Sequence, residues 1–328
     1  MIKMKFTFFI VIIFLLASCQ KKEKKVSNKI IREEKIATVK TVSLIVLGNV
    51  QDGGSPHIGC KKDCCKNLFE HPDKNRMVVS LGLIDPINKK SYLFEATPDL
   101  PMQMKNLKKF CSFSDKEVPD GIFLTHAHIG HYSGLMYLGK EAMNADSVPV
   151  FAMPRMKEFL ESNGPWSQLV EKKNISIKQL SIVRLPITLD TNLSVTALKV
   201  PHRDEFSETI GFIIRGPKKS ALFIPDIDKW EKWVLKIEEV IEQVDYAFID
   251  GTFYNGNELK TRNIAEIPHP FAIESMEKFK NLPLKEKNKI YFIHFNHTNK
   301  LLDEKSEETK TVLKNGFRVA RLGMVFEM

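Results

Sequence analysis

The sequence predicts an α/β (α+β) domain of four layers, an αββα sandwich in which two β-sheets pack face to face and helices cover both outer faces. Three observations predict it. Short apolar, β-rich runs recur in both halves of the chain, helical stretches fall between them in both halves, and no Pro/Gly/Ser-rich linker divides the halves. Sheets and helices must each bury an apolar face, and helices laid outside two stacked sheets satisfy both. With 328 residues, 43% hydrophobic and 27% charged, the chain has a globular composition and the length for a sizeable core.

The first segment is read as a leader outside this fold. Met1 to Lys5 is basic, Phe6 to Leu16 is almost wholly apolar, and LLASCQ follows. These are the regions of a secretory signal, and the apolar run falls short of the roughly 20 residues that a membrane-spanning helix needs. LASC at Leu16 to Cys19 resembles the bacterial lipoprotein box. The resemblance implies cleavage before Cys19, lipid on its sulfur, and an exported protein anchored to a membrane of the cell envelope. Residues 19–40 read as a charged, solvated tether. Of the net charge of +9, Lys3 and Lys5 carry +2 and residues 19–40 carry +5, leaving +2 for residues 41–328. The basic balance thus belongs to the leader and tether, and favours a membrane surface over a nucleic-acid partner.

Residues 41–328 are read as one domain. Val42 to Gly48, Met77 to Asp85, Ser91 to Thr97 and Gly121 to His126 are the strands of the first half. Leu193 to His202, Thr209 to Gly216, Ser220 to Asp226, Asp245 to Asp250 and Lys289 to His294 are those of the second. Helices are expected over Met102 to Lys109, His131 to Ala142, Met156 to Glu161, Lys229 to Gln243 and Phe271 to Lys280.

Polar residues collect at the strand ends: His126, His202, Asp226, Asp250 and His294. Strand ends and the loops after them are where a scaffold displays chemistry. In FLTHAHIGH, His126, His128 and His131 fall within six residues. His126 and His128, two apart, share a side in extended backbone, and His131 follows where a helix begins. Imidazole with carboxylate suits zinc, iron or manganese, and a majority of histidines favours zinc. A metal with an open position lowers the pKa of its water from 15.7 to roughly 7 and polarises a carbonyl or phosphoryl oxygen.

THAHIGH, VPHRDEFSETIGF, LFIPD and FIHFNHTN, in this order, resemble the metallo-β-lactamase fold over nearly all of residues 42–328. Within it the resemblance is nearest the branch that contains pyrroloquinoline quinone biosynthesis protein B, with phosphodiesterases and tRNA-processing nucleases further off. It implies one metal position held by His126, His128 and His202, and a second held by His131 and His294, with Asp226 bridging them and orienting the nucleophile. The family motif is HxHxDH, and this chain has Gly130 where the motif has aspartate. Either one metal is then held tightly and the second weakly, or another carboxylate, Asp228 or Asp250, fills the gap. His269, in IPHPFAIES, lies outside the metal set and resembles the histidine that meets the scissile group in the nuclease and phosphodiesterase relatives, where it serves as general acid or charge stabiliser.

Cys60, Cys64 and Cys65 cluster in GCKKDCCKN, after the loop QDGGSPHIG. Three thiolates and one histidine, His297, close a tetrahedron around a separate structural zinc. The relatives' spacing is CxCxxC against CxxxCC here, and in an exported protein a disulfide from Cys60 to Cys64 or Cys65 is the alternative. Gly53, Gly54 and Gly59 allow tight turns in that loop, and His57 lies within it. Cys111 reads as a packed core residue. The function expected is that of a membrane-tethered metallo-hydrolase acting on a small phosphodiester or other ester. An oxidative enzyme with a redox metal at the histidines, and a non-catalytic binding lipoprotein, are the alternatives.

Overall fold

The computed structural model of the protein describes residues 1, 39–181, 185–259 and 266–328. The expected leader, Cys19 and the tether through residue 38 lie outside the described residues. From Val39 onward the described residues form one compact unit. No helix among the described residues is long and apolar enough to cross a membrane.

The first sheet takes β1 (Ser43–Gly48), β2 (Ser80–Asp85), β3 (Lys90–Phe94), β4 (Gly121–Phe123), β5 (Val148–Ala152) and β6 (Ile175–Gln179). The second takes β7 (Ile187–Asp190), β8 (Leu193–Lys199), β9 (Ile210–Arg215), β10 (Ser220–Ile224), β11 (Tyr246–Asp250), β12 (Ile290–Ile293) and β13 (Arg318–Val319), and β14 (Val325–Glu327) returns to the first sheet beside β1. The order is β14-β1-β2-β3-β4-β5-β6 in one sheet and β13-β12-β11-β10-β9-β8-β7 in the other.

Both faces of each sheet are apolar, so alternate residues feed different cores. Along β1, Leu44 and Val46 join Phe94, Phe123, Phe212, Phe223 and Phe248 in the core between the sheets. Ile45 and Leu47 point the other way, under α1 (Leu100–Lys108). Leu222, Ile249 and Phe292 pack beneath the opposite helical layer, against Ile237 and Ile241 of α5 (Ile237–Glu242). These three apolar layers are the sandwich that the sequence predicts.

Two expected helices take other forms. His131 to Ala142 is a single α turn, Ile129–Tyr132, followed by a 3-10 stretch, Ser133–Leu138. The Ala96 amide donates to the His131 carbonyl and the Gly134 amide to the Ala96 carbonyl, each at 2.9 Å, so the segment is pinned to the loop after β3. A Cβ on Gly134 would sit 2.0 Å from the Thr97 carbonyl oxygen, and only glycine allows that approach. Lys229 to Gln243 breaks in the same way, because the Trp230 indole donates to Ser275 and the Trp233 indole to the Lys199 carbonyl. The sequence reading omits β5, β6, β7, β13 and β14. These are strands of five residues or fewer, and Pro149 inside β5 disguises it.

Within the first sheet β1, β3 and β4 run in one direction; within the second, β8, β10, β11 and β12 do. His126, His202, Asp226 and His294 lie just past the C-terminal ends of β4, β8, β10 and β12, and Asp250 closes β11, so strand ends of both sheets contribute to one rim.

Candidate metal centre

The first ligand group is His126, His128, His202 and Asp226, whose donor atoms lie within 4.8 Å of one another. His126 Nε2 and His128 Nδ1 are 2.8 Å apart. Asp226 Oδ2 lies 3.1 Å from His202 Nε2 and 3.4 Å from His126 Nε2. The outward ring nitrogens are engaged: His126 Nδ1 by the Thr125 hydroxyl at 2.8 Å, His202 Nδ1 by Asp228 at 3.1 Å and His128 Nε2 by Glu205 at 3.4 Å. Such partners set the tautomer and leave the inward lone pair free for a cation. Burial, with His131 beside it, holds His126 well below the usual imidazole pKa. Burial pushes the Asp226 carboxyl up, but His202 and His269 outweigh it and hold the group well below the usual range.

The second group is Asp52, His131 and His294. His131 Nε2 lies 2.9 Å and His294 Nε2 3.6 Å from Asp52 Oδ1. The Thr252 hydroxyl accepts from His294 Nδ1 at 2.8 Å and donates to Asp250 at 2.7 Å, and Glu95 faces His131 Nδ1 at 3.2 Å. Burial pulls His131 down, but Glu95 and Asp52 outweigh it and raise its pKa well above the usual value. Glu95 (φ 78°) and His294 (φ 67°) both hold left-handed backbone, a strain of about 1–3 kcal/mol each that recurs at functional sites. The two groups adjoin, with the His126 and His131 rings 4.2 Å apart.

This geometry corrects the expected compensation for Gly130. Asp228 is committed to His202 and Lys232. Asp250 accepts from the Ile227 and Thr252 amides and from His269. Neither belongs with His131 and His294; the carboxylate there is Asp52, from the loop after β1. A Cβ on Gly130 would fall 2.2 Å from Asp52 Oδ1 and 2.4 Å from its Cα, so Asp52 fills the space of a side chain at 130.

His269 sits nearer the ligands than the sequence reading has it. It precedes α6 (Ala272–Lys278), and its Nδ1 lies 2.9 Å from Asp250 and 3.2 Å from Asp226 Oδ1. Burial lowers its pKa, but Asp250 and Asp226 outweigh this and raise it well above the usual value.

Whether these residues suit a metal is tested by their buried polar atoms. Asp52 Oδ1, His131 Nε2, His202 Nε2, His294 Nε2 and Asp226 Oδ1 are buried and make no well-aligned hydrogen bond; each faces only another imidazole or carboxylate of the cluster, at 2.9–3.6 Å. Such groups are costly to bury unless something satisfies them. Imidazole nitrogens and carboxylate oxygens converging in this way fit a divalent cation of the zinc, iron or manganese class.

Cys60, Cys64, Cys65 and His297 form a separate group of donors within 4.8 Å. The Cys60–Cys64 and Cys64–Cys65 sulfurs are 3.9 Å apart, far from the about 2.05 Å of a disulfide. Sulfurs on a tetrahedral zinc, each about 2.3 Å from the metal, stand about 3.8 Å apart. Burial, then Cys65, pushes the Cys64 thiol up to about 12, so its ionisation calls for a neighbouring cation. His297 is pulled down to about 4 by burial, then His57, whose ring stacks on it at 4.4 Å. Its Nδ1 is buried without a partner. Cys111 is a buried core thiol.

The sequence reading misses Asp52, Glu95, Thr125, Thr252 and Glu205. The one signal for Glu95 is a carboxylate closing an otherwise apolar run, SYLFEAT.

Residues 90–295 match the model of the beta-lactamase superfamily domain. The chain is 24% identical over 308 residues to "Coenzyme PQQ synthesis protein B" of Methylococcus capsulatus, covering 85% of this chain and 97% of the relative. The Zn(2+)-bound PqqB of Methylobacterium extorquens superposes with a TM-score of 0.70 at 20% identity, covering 87% of this chain and 100% of that one. A diphosphatase of the PhnP family superposes with a TM-score of 0.60 at 22% identity, covering 88% and 97%. With its two stacked sheets and the histidine rim between their strand ends, the chain belongs to the metallo-β-lactamase superfamily and resembles coenzyme PQQ synthesis protein B among its members.

Proposed function

We propose that the protein is a metal-dependent hydrolase of a small phosphodiester or other ester, exported and held at a membrane surface by lipid on Cys19. The observation that carries the hydrolase reading is the buried convergence of imidazole nitrogens and carboxylate oxygens of His131, His202, His294, Asp52 and Asp226, beside a histidine bonded to carboxylates. A zinc-class ion bound there would lower the pKa of water to about 7 and polarise the oxygen of the scissile group. His126, His128 and His202 are held through their outward nitrogens and turn the inward ones toward one another and Asp226. Asp226 turns one oxygen to those histidines and the other to His269. Asp250 holds the His269 ring through Nδ1, which leaves Nε2 to give a proton to a leaving group. The experiment is metal analysis of the purified protein paired with a screen of phosphodiesters and simple esters. Metal at the histidines without turnover of any of them would overturn the hydrolase reading.

His269→Ala should lower turnover by about 10²–10⁴-fold, the range of general acid catalysis, with metal content unchanged. Equal turnover in the variant would remove His269 from the mechanism. Cys19→Ala should abolish incorporation of labelled fatty acid and release the protein from membranes; unchanged labelling would refute lipidation at this residue.

The likeness to coenzyme PQQ synthesis protein B over 85% of the chain permits a second reading, an oxidative enzyme with a redox metal such as iron at the histidines. Iron retained through anaerobic purification, with oxygen consumption, would favour it over the hydrolase.

A further inference from the structure

We propose that Asp52 is the carboxylate ligand of the second metal position, standing in for the side chain that residue 130 lacks. The proposal rests on the metal-centre reading above and adds to it a ligand from a different segment of the chain. Asp52 Oδ1 lies 2.9 Å from His131 Nε2 and 3.6 Å from His294 Nε2. All three atoms are buried and face one another at ion-pair distances with no well-aligned hydrogen bond among them, so they converge on one point where a cation can replace the proton they share. Gly130 is the complement of this arrangement. Any Cβ there would overlap both the Asp52 carboxylate and its Cα, so the loop and a side chain at 130 exclude each other.

The Asp52 loop is held in place at both ends. Before Asp52, Val50 bridges Val78 and Phe295, the Gln51 amide donates to the Phe295 carbonyl at 2.8 Å, and the Phe295 amide donates to the Asn49 carbonyl at 2.7 Å. This pairing fixes Asp52 against the segment that carries His294. Beyond Asp52 the loop reaches Cys60, Cys64 and Cys65, which meet His297 from that same segment. The two segments therefore approach each other twice, once at each donor group, and Asp52 has little freedom to move away from His131.

The test uses the full chain, loaded with zinc and analysed for metal per polypeptide. A cobalt-loaded sample reports the cysteine group separately through its thiolate charge-transfer absorption. Asp52→Ala should hold one ion per chain fewer than the wild type, as should His131→Ala, with the thiolate band retained. Asp52→Asn, which preserves shape and removes charge, should weaken binding of that ion at least tenfold and guards against a folding artefact in the alanine variant. Gly130→Ala should lose the same ion by displacing the loop. A wild-type ion count and affinity in both Asp52 variants would overturn the proposal and leave the metal centre standing. A wild-type protein with no ion at the histidines would overturn the metal-centre reading and the proposal together.

Discussion

His202→Ala is expected to cost the protein the ion held by the first ligand group and at least about 10³-fold in turnover. Polarisation by a bound metal is worth several kcal/mol of transition-state stabilisation, and each 1.36 kcal/mol is tenfold in rate, so a loss of about 4 kcal/mol gives that factor. His202 is the appropriate residue to remove because its polar contacts are all within the site. Its Nε2 faces Asp226 at 3.1 Å, its Nδ1 is held by Asp228 at 3.1 Å, and it lies past the end of β8 rather than in the shared core between the sheets. The loss should therefore show in metal content and turnover, with the fold retained. Metal analysis by mass spectrometry and the rate on whichever ester the screen identifies are the measurements. Full metal content in the variant would remove His202 from the ligand set.

Cys64→Ser is expected to lower stability rather than chemistry. An ion that binds only the folded state at 100 times its dissociation constant stabilises by about 2.7 kcal/mol. For a domain of nearly 300 residues, unfolding with about 2.1 cal/mol/K per residue, each kcal/mol is worth about 1.7 °C, so the unfolding midpoint should fall by about 4–5 °C. Cys64 is the residue of choice because its sulfur stands 3.9 Å from both Cys60 and Cys65, so its removal opens the whole group. Chelation removes the histidine-held ions as well, so it should lower the midpoint of the wild type by more than that of the variant, the difference being the contribution of the cysteine group. A midpoint that responds to reductant and not to chelator would replace the zinc by a disulfide.

The fold class was legible in the sequence because the longer strands are apolar on both faces. Val42 to Gly48 and Ser220 to Asp226 have no amphipathic alternation to hide, and Leu44, Ile45, Leu222 and Phe223 are all fully buried. The edge strands were not legible, since β13 and β14 are two and three residues long and carry no periodicity that a sequence window can read. The long helix expected from Lys229 failed for a related reason. Its local pattern is helical, but Trp230 and Trp233 are tied to Ser275 and Lys199, which are distant in sequence.

The same division runs through the site. The sequence by itself determined the αββα class and gathered His126, His128, His131, His202, Asp226, His294 and the cysteine group as candidate ligands, because each sits in a short local signal: a polar residue ending an apolar strand, or a tight histidine or cysteine cluster. Only the tertiary structure decided what completes them. Asp52, Glu95 and Thr252 meet His131 and His294 because β1, β3 and β11 end at the same rim, and strand order is set by long-range pairing that no local spacing records. Gly130, read alone, is a missing ligand. Packed against the Asp52 loop, it is the residue whose lack of a Cβ admits a carboxylate from elsewhere in the chain.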